Sequence, residues 1–108
     1  MIRQLSPATL RDWLNDRSRP LPLLLDVRES WEYDLCRITD SQLISLKDLP
    51  QRWTELPRGR DIIVICHHGV RSQQAARLLE DAGFPQLYNL SGGIAAWSAQ
   101  IEPTMPRY

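Results

Sequence analysis

Apolar residues fall into two patterns that alternate along the chain. Two nearly uninterrupted runs, PLLLDV at 22–27 and DIIVIC at 61–66, predict strands covered on both faces. The shorter runs QLISL at 42–46 and QLYNL at 86–90 predict two further strands. Between these runs, helical spacing and breaker residues predict helices over 6–16, 29–35, 72–82 and 92–100, and one or two helical turns around Pro50 in 46–56. Such alternation predicts an α/β fold with a mainly parallel sheet flanked by helices on both faces.

Short polar residues mark where these helices are expected to begin. Ser6, followed by Pro7, is expected to cap the first helix, and Ser30 and Ser72 are expected to cap two later ones. Gly83 is a favourable stop for the helix that starts near Ser72. The tryptophans are expected to close the core at helix faces; they are Trp13, Trp31, Trp53 and Trp97.

Length and composition favour one ordinary globular domain over 1–108, with an extended tail at 102–108. Thirteen basic and thirteen acidic residues give no net charge, so a general attraction to nucleic acid or to anionic membranes is not expected. No apolar run is long enough to span a bilayer, and the first residues lack the apolar centre of a signal peptide. Two cysteines do not make a disulfide framework, so a cytoplasmic thiol protein is expected.

Cys66 is the candidate catalytic residue because it ends a buried strand immediately before a loop and a helix. Ligands of parallel α/β sheets bind beyond the carboxyl ends of the strands. The unpaired N–H groups at the start of the helix, a loop turned by Gly69 and the charge of Arg71 would together favour the thiolate and an anion bound to it. The alternative is that Cys66 is a small buried apolar residue.

Three segments carry a resemblance to the rhodanese family of sulfurtransferases. LLLDVRESWEYDL resembles the Asp-Val-Arg-Glu segment of that family, VICHHGVRSQQAARLLEDAGF its active loop and helix, and LYNLSGGIAAW its closing Gly-Gly segment. The resemblance implies a single rhodanese-like domain whose parallel sheet has about five strands. It also implies a ping-pong reaction without a cofactor, in which Cys66 takes a sulfane sulfur from a donor and passes the persulfide sulfur to an acceptor.

The resemblance also assigns the residues around the thiol. Donors in the family include thiosulfate and the persulfides of cysteine desulfurases, and acceptors include cyanide and thiols. Asp26 and Arg28 match a polar network that braces the fold near the loop, although an ordinary ion pair would also account for them. The loop residues implied to bind substrate and persulfide are His67, His68, Gly69, Val70, Arg71 and Ser72. Whether either histidine contacts substrate stays open.

A narrower resemblance concerns the possible partners. CHHGVRS followed by YNLSGGIAAWS and IEPTMPRY is similar to rhodanese domains fused to ubiquitin-activating-like adenylyltransferases. That similarity implies a ubiquitin-like sulfur-carrier protein, or a cysteine desulfurase, as a partner on a separate chain.

Three other interpretations remain for the cysteine loop. Phosphatases and arsenate reductases of related fold have five residues between cysteine and arginine, whereas four separate Cys66 from Arg71, so the loop is tight for a tetrahedral phosphate. Zinc is disfavoured because adjacent Cys66, His67 and His68 cannot readily face one ion and no metal is expected. A non-catalytic rhodanese-fold module that binds partners is the third interpretation.

The chain departs from the family at 36–41. There CRITDS replaces the usual Gly-His-Ile-Pro-Gly-Ala and keeps only Ile38. Cys36 in this segment has two interpretations, a buried small residue or a second thiol that carries sulfur or resolves oxidised Cys66.

Overall fold

A computed structural model describes all 108 residues and contains one five-stranded parallel sheet. The spatial order of its strands is β1-β5-β4-β2-β3, and every neighbouring pair is parallel. The strands are β1 Ile2–Leu5, β2 Leu23–Asp26, β3 Gln42–Leu43, β4 Ile62–Ile65 and β5 Leu87–Leu90. The α/β prediction is thereby confirmed.

Four α-helices connect the strands, and a fifth follows β5. They are α1 Pro7–Leu14, α2 Ser30–Leu35, α3 Leu49–Arg52, α4 Val70–Asp81 and α5 Gly93–Gln100, and a 3₁₀ turn, Trp53–Glu55, follows α3. None of these helices combines the length and the apolar character that crossing a bilayer requires. After α5, residues 102–105 form a turn whose Met105 is buried, and 106–108 run on without regular structure.

The sheet separates two apolar clusters, because successive side chains of a strand point to opposite faces. On one face, β4 contributes Ile62 and Val64, which pack with Ala75, Ala76 and Leu79 of α4. On the other face, Ile63 and Ile65 pack with Leu10 and Trp13 of α1 and with Ile94 and Trp97 of α5. Strands buried on both faces explain why β2 and β4 read as continuous apolar runs.

Strand β1 was not expected from the sequence. Its residues IRQL include the solvent-exposed Arg3 and Gln4, so the apolar run typical of the other strands is missing. β1 lies at the edge of the sheet, where it pairs with β5 from Ile2 opposite Leu87 to Leu5 opposite Leu90. Pairing with a neighbour, rather than its own pattern, makes this segment a strand.

Of the three expected helix caps, only the one at Ser6 is confirmed. Ser6 caps α1 by accepting a hydrogen bond from the Thr9 N–H at 3.1 Å. The expected cap at Ser30 is wrong, because Glu29 occupies the N-cap position of α2. The expected cap at Ser72 is also wrong, because α4 begins two residues earlier with Gly69 at the N-cap and φ +107°, a conformation that glycine adopts without strain.

The tryptophans divide by position. Trp13 and Trp97 are buried in the core as expected, and Trp53 is half-buried against Phe84. Trp31 contradicts the expectation, since 61% of its surface is exposed. It lies on the outer side of α2, whose only buried residue is Glu32, and its ring packs edge-on against Tyr108.

Candidate active site

The cysteine loop lies at the carboxyl end of β4, where the sequence predicted it. Cys66 follows β4 and is 1% exposed. Its Sγ accepts a hydrogen bond from the Gly69 N–H at 2.9 Å and lies 3.2 Å from the Ser72 hydroxyl. The sulfur is therefore held at the floor of the loop by one backbone donor and one hydroxyl, and a backbone donor favours a negatively charged sulfur.

Asn89 of β5 supports the far side of this loop. The Ser72 hydroxyl donates to Asn89 Oδ1, while Asn89 Nδ2 donates to the Gly69 carbonyl at 3.3 Å and to Gln4 Oε1 at 3.0 Å. A hydroxyl has one proton and can direct it to either neighbour, so Ser72 can donate to Cys66 when the sulfur is an anion. Sequence reasoning missed Asn89; the available signal was a polar residue in the middle of a short buried strand.

The first turn of α5 fixes the backbone of the same loop. The Ile94 and Ala95 N–H groups donate to the carbonyls of Cys66 and His67 at 2.9 and 3.0 Å. Gly93 permits this approach, because a Cβ at that position would lie 2.3 Å from the Cys66 carbonyl oxygen. The Gly-Gly segment therefore holds the loop against α5.

Arg71 turns toward α2 and forms an ion pair with Glu32. Its Nη1 and Nη2 donate to Oε1 and Oε2 of Glu32 at 2.7 and 2.8 Å. Hydrogen bonding from Arg71 lowers the pKa of the buried Glu32 to about 2, and the same contact raises the pKa of Arg71. Sequence reasoning missed Glu32, and the role of Arg71 in binding substrate stays a prediction.

Asp26 and Arg28 form a completely buried ion pair beside the loop, with Arg28 Nη2 at 2.8 Å from Asp26 Oδ2. Arg28 Nη2 also donates to the Cys36 carbonyl at 2.6 Å, and Nη1 donates to the Tyr108 hydroxyl at 2.9 Å. Burial opposes the charge of Arg28, but hydrogen bonds to Asp26 and Tyr108 raise its pKa overall. Because a buried charge is tolerated only with good partners, this pair is a structural brace rather than a surface ion pair.

Tyr108 joins these two ion pairs. Its hydroxyl accepts from Arg28 and donates to Glu32 Oε2 at 2.7 Å. Its ring stacks on the His67 imidazole with the ring centres 4.0 Å apart. Burial of the hydroxyl raises the pKa of Tyr108 to about 12, so it stays protonated. Sequence reasoning gave this residue no role, although it ends the segment IEPTMPRY that carries the narrower resemblance.

The two loop histidines differ in environment. His67 is half-buried between the rings of His68 and Tyr108, and burial together with the neighbouring His68 lowers its pKa. His68 and Val70 are exposed, Val70 by 68%. Both histidines line a cavity of about 170 Å³ that residues 106–108 and α5 complete.

The largest cavity lies elsewhere. It has about 400 Å³ and is lined by parts of α1, the segment before β2 and the end of α5, including Leu14, Leu21 and Trp97. None of its residues belongs to the cysteine loop, whereas His67 and His68 line the cavity of about 170 Å³, and Gly69 and Val70 line a third cavity of about 380 Å³.

The segment at 36–41 contributes to the core rather than to the loop. Cys36 is 6% exposed and, with Ile38, belongs to the apolar cluster on the α1 and α5 face. Asp40 takes φ +66° at the position where the rhodanese segment has its second glycine. Aspartate tolerates this left-handed conformation better than most residues.

Comparison with known proteins identifies the family of this chain. The family model for the rhodanese-like domain matches residues 6–100. The chain belongs to the rhodanese-like domain family. A rhodanese-related protein from Thermoplasma volcanium has the same fold, with a TM-score of 0.83, 31% identity and coverage of 94% of this chain and 95% of that one.

Two relatives illustrate the settings in which similar rhodanese-like domains occur. A protein named sulfurtransferase from Allochromatium vinosum is 33% identical over 91% of this chain and 90% of its own length. The probable adenylyltransferase/sulfurtransferase MoeZ from Mycobacterium tuberculosis is 41% identical over 96% of this chain. This chain spans only 26% of the length of MoeZ.

Proposed function

We propose that this rhodanese-like domain is a sulfurtransferase that carries a sulfane sulfur on Cys66 as a persulfide. The observation that carries the proposal is the Gly69 N–H directed at Cys66 Sγ from 2.9 Å. That donor and the nearby Ser72 hydroxyl favour an anionic sulfur nucleophile. The relatives named sulfurtransferase support the same class of reaction.

The reaction proceeds in two half-reactions. The Cys66 thiolate attacks the outer sulfur of thiosulfate, a sulfur–sulfur bond forms to Cys66, and the bond to the sulfite group breaks, which releases sulfite with the electron pair. A nucleophile such as cyanide then attacks the outer sulfur of the Cys66 persulfide. Thiocyanate leaves, and the Cys66 thiolate is regenerated. Charge and atoms balance in each step, and covalent catalysis of this type gives ping-pong kinetics.

The loop would stabilise the persulfide with backbone donors additional to the two groups that hold the thiol. The N–H groups of Val70, Arg71 and Ser72 precede the first α4 bond, from the Gln73 N–H to the Gly69 carbonyl, and have no intrahelical partner. Together with the positive end of α4 they are available to a terminal sulfur anion.

Intact mass before and after incubation with thiosulfate tests the proposal. Wild type should gain the mass of one sulfur atom and lose it again with cyanide, whereas Cys66→Ser should gain nothing while keeping its fold. Cys36→Ser is the matched control and should load like wild type, because Cys36 belongs to the core. Sulfur gain that persists in Cys66→Ser would overturn the assignment of the nucleophile. No gain with thiosulfate or with a desulfurase persulfide would favour a partner-binding module.

Phosphatase activity is not proposed for this loop. Four residues separate Cys66 from Arg71, and both terminal nitrogens of Arg71 are bound to Glu32 rather than free to hold a phosphate. An aryl phosphate should therefore not be hydrolysed.

A protein donor and acceptor are proposed on the strength of the relatives. MoeZ is named both adenylyltransferase and sulfurtransferase. The resemblance of this chain to rhodanese domains fused to adenylyltransferases leads us to propose a ubiquitin-like sulfur-carrier protein as acceptor and a cysteine desulfurase as donor. Labelled sulfur on Cys66 should transfer to an activated carrier protein; no transfer to any such carrier would count against this partner.

A further inference from the structure

Tyr108 contacts the cysteine loop at two places, although it is far from the loop in the chain. Its ring stacks on His67, the residue after Cys66, with an angle of 16° between the ring planes. Its hydroxyl donates to Glu32, which holds Arg71 near the other end of the loop. One side chain therefore contacts the start of the segment that surrounds the thiol directly, through His67, and its far end indirectly, through Glu32 and Arg71.

The hydrogen bonds of the Tyr108 hydroxyl fix the positions of the Glu32 carboxylate and the Arg28 guanidinium. Glu32 Oε2 has two donors, Arg71 Nη2 at 2.8 Å and the Tyr108 hydroxyl at 2.7 Å. On the other side, Arg28 Nη1 has its shortest contact, 2.9 Å, with the Tyr108 hydroxyl. Removing this hydroxyl leaves one carboxylate lone pair and one buried guanidinium N–H short of a partner, which is costly for charged groups.

The path from Tyr108 to the thiol is short. Glu32 fixes Arg71, Arg71 is the neighbour of Ser72, and Ser72 and Gly69 are the two residues that contact Cys66 Sγ. A shift of the Glu32 carboxylate would therefore be passed to the groups that orient the sulfur. Small errors in such positions reduce the rate of reaction strongly.

Resting on the sulfur-transfer function proposed above, we propose that Tyr108 is a positioning residue of the active loop. It acts through Glu32 and Arg71, and it does not itself touch the transferred sulfur. Tyr108→Phe keeps the stacking ring and removes the hydroxyl, which breaks its bonds to Glu32 and to Arg28 together; a second substitution at Glu32 therefore separates the step through Glu32 from the contact with Arg28.

The test is a double-mutant cycle of Tyr108→Phe and Glu32→Gln with two measurements. The first is amide hydrogen exchange of the peptide 66–73, which reports how firmly the loop is held and needs no sulfur donor. The second is kcat and KM for thiosulfate. Tyr108→Phe should speed loop exchange about fivefold and lower kcat about tenfold, with KM changed less than about twofold. In the Glu32→Gln background, the same substitution should change either quantity less than about twofold.

Tyr33→Phe is the matched control. The Tyr33 hydroxyl also makes a partly buried hydrogen bond, to the Ser41 carbonyl at 2.5 Å, but its hydrogen bonds go to Ser41 and not to the loop. Loss of that bond should leave loop exchange and kcat unchanged. Thermal unfolding of all variants shows whether each remains folded.

Three outcomes overturn the inference. One is unchanged loop exchange in Tyr108→Phe, and another is an equal effect of Tyr108→Phe with and without Glu32→Gln. The third is a change in KM alone, which would make Tyr108 a substrate contact. If wild type transfers no sulfur from any donor, the proposed function fails, and the exchange measurement still decides whether Tyr108 positions the loop.

Discussion

Gly93 determines how closely α5 approaches the cysteine loop. Its φ of +58° lies in the left-handed region, and an added Cβ would lie 2.3 and 2.5 Å from the carbonyl oxygens of Cys66 and His67. Those carbonyls accept the first N–H groups of α5. A side chain here would therefore push apart the two segments that these hydrogen bonds join.

Gly93→Ala should destabilise the protein by about 2 kcal/mol or more and slow sulfur loading of Cys66 at least about tenfold. Both effects follow from displacement of the Cys66 and His67 backbone. Urea unfolding and time-resolved intact mass measure the two quantities.

Gly59→Ala is the control for that substitution, because its Cβ would meet no atom within 4 Å. It should unfold and load sulfur like wild type. A Gly93→Ala variant as stable as wild type would contradict the described contact between α5 and the loop.

Among the elements, α2 shows how a short helix is kept in place by its surroundings. It has six residues, too few to be stable alone in water. Glu32 supplies the hydrogen bonds that join it to the cysteine loop and to Tyr108: the carboxylate accepts from Arg71 and from Tyr108, and also from the Glu29 N–H at 3.0 Å. The helix is therefore attached to the loop and to residues 106–108 through one buried carboxylate.

This attachment predicts a defined pH dependence of stability. Arg71 lowers the pKa of Glu32 to about 2 in the folded protein, below its value of about 4.3 in an unfolded chain. The stabilisation is therefore fully present above about pH 4.5 and is lost as pH falls toward 2, by about 2–3 kcal/mol at most.

Urea unfolding of wild type and Glu32→Gln between pH 7 and pH 2.5 checks this expectation. Wild type should be more stable at neutral pH, and the difference should shrink as the carboxyl group protonates. Glu55→Gln, which removes one partner of an exposed ion pair, should follow wild type closely. Parallel curves for wild type and Glu32→Gln would show that the ion pair contributes nothing.

In the whole molecule, the sheet brings the residues of the site together and separates the two cysteines of the chain. The order β5-β4-β2 places Asn89, Cys66 and Asp26 near one another at the carboxyl edge. Cys66 belongs to the apolar cluster on the α4 face, whereas Cys36 belongs to the cluster on the α1 and α5 face. A disulfide requires Cα atoms within about 7 Å and facing Cβ atoms, which this separation by the sheet disfavours.

Peroxide treatment should therefore oxidise Cys66 without forming a Cys36–Cys66 disulfide, and Cys36 should remain a free thiol. Peptide mapping without reduction measures both products. Cys36→Ser should give the same oxidation of Cys66 as wild type. A peptide cross-linked through the two cysteines would restore Cys36 as a resolving thiol.

What the sequence alone determined is local. The uninterrupted run at 61–66 identifies a buried strand, and Cys66 at its end, followed by Gly69 and a helical pattern, identifies the candidate nucleophile. The structure confirms the strand, and the nucleophile stays a prediction. Both inferences rest on periodicity and loop composition, which reflect burial and backbone conformation within a few neighbouring residues. The same reasoning did not predict β1, because this segment is a strand through its pairing with β5.

Only the tertiary structure decided which distant groups complete the site. Glu32 meets Arg71 across 39 positions of the chain, and Tyr108 meets Glu32 across 76. These side chains carry no periodic signal, since each is a single polar residue whose partner depends on how the crossovers stack the strands. The thiol could thus be proposed from the sequence, whereas the Glu32 carboxylate and Tyr108, which contact its loop, could be found only in the tertiary structure.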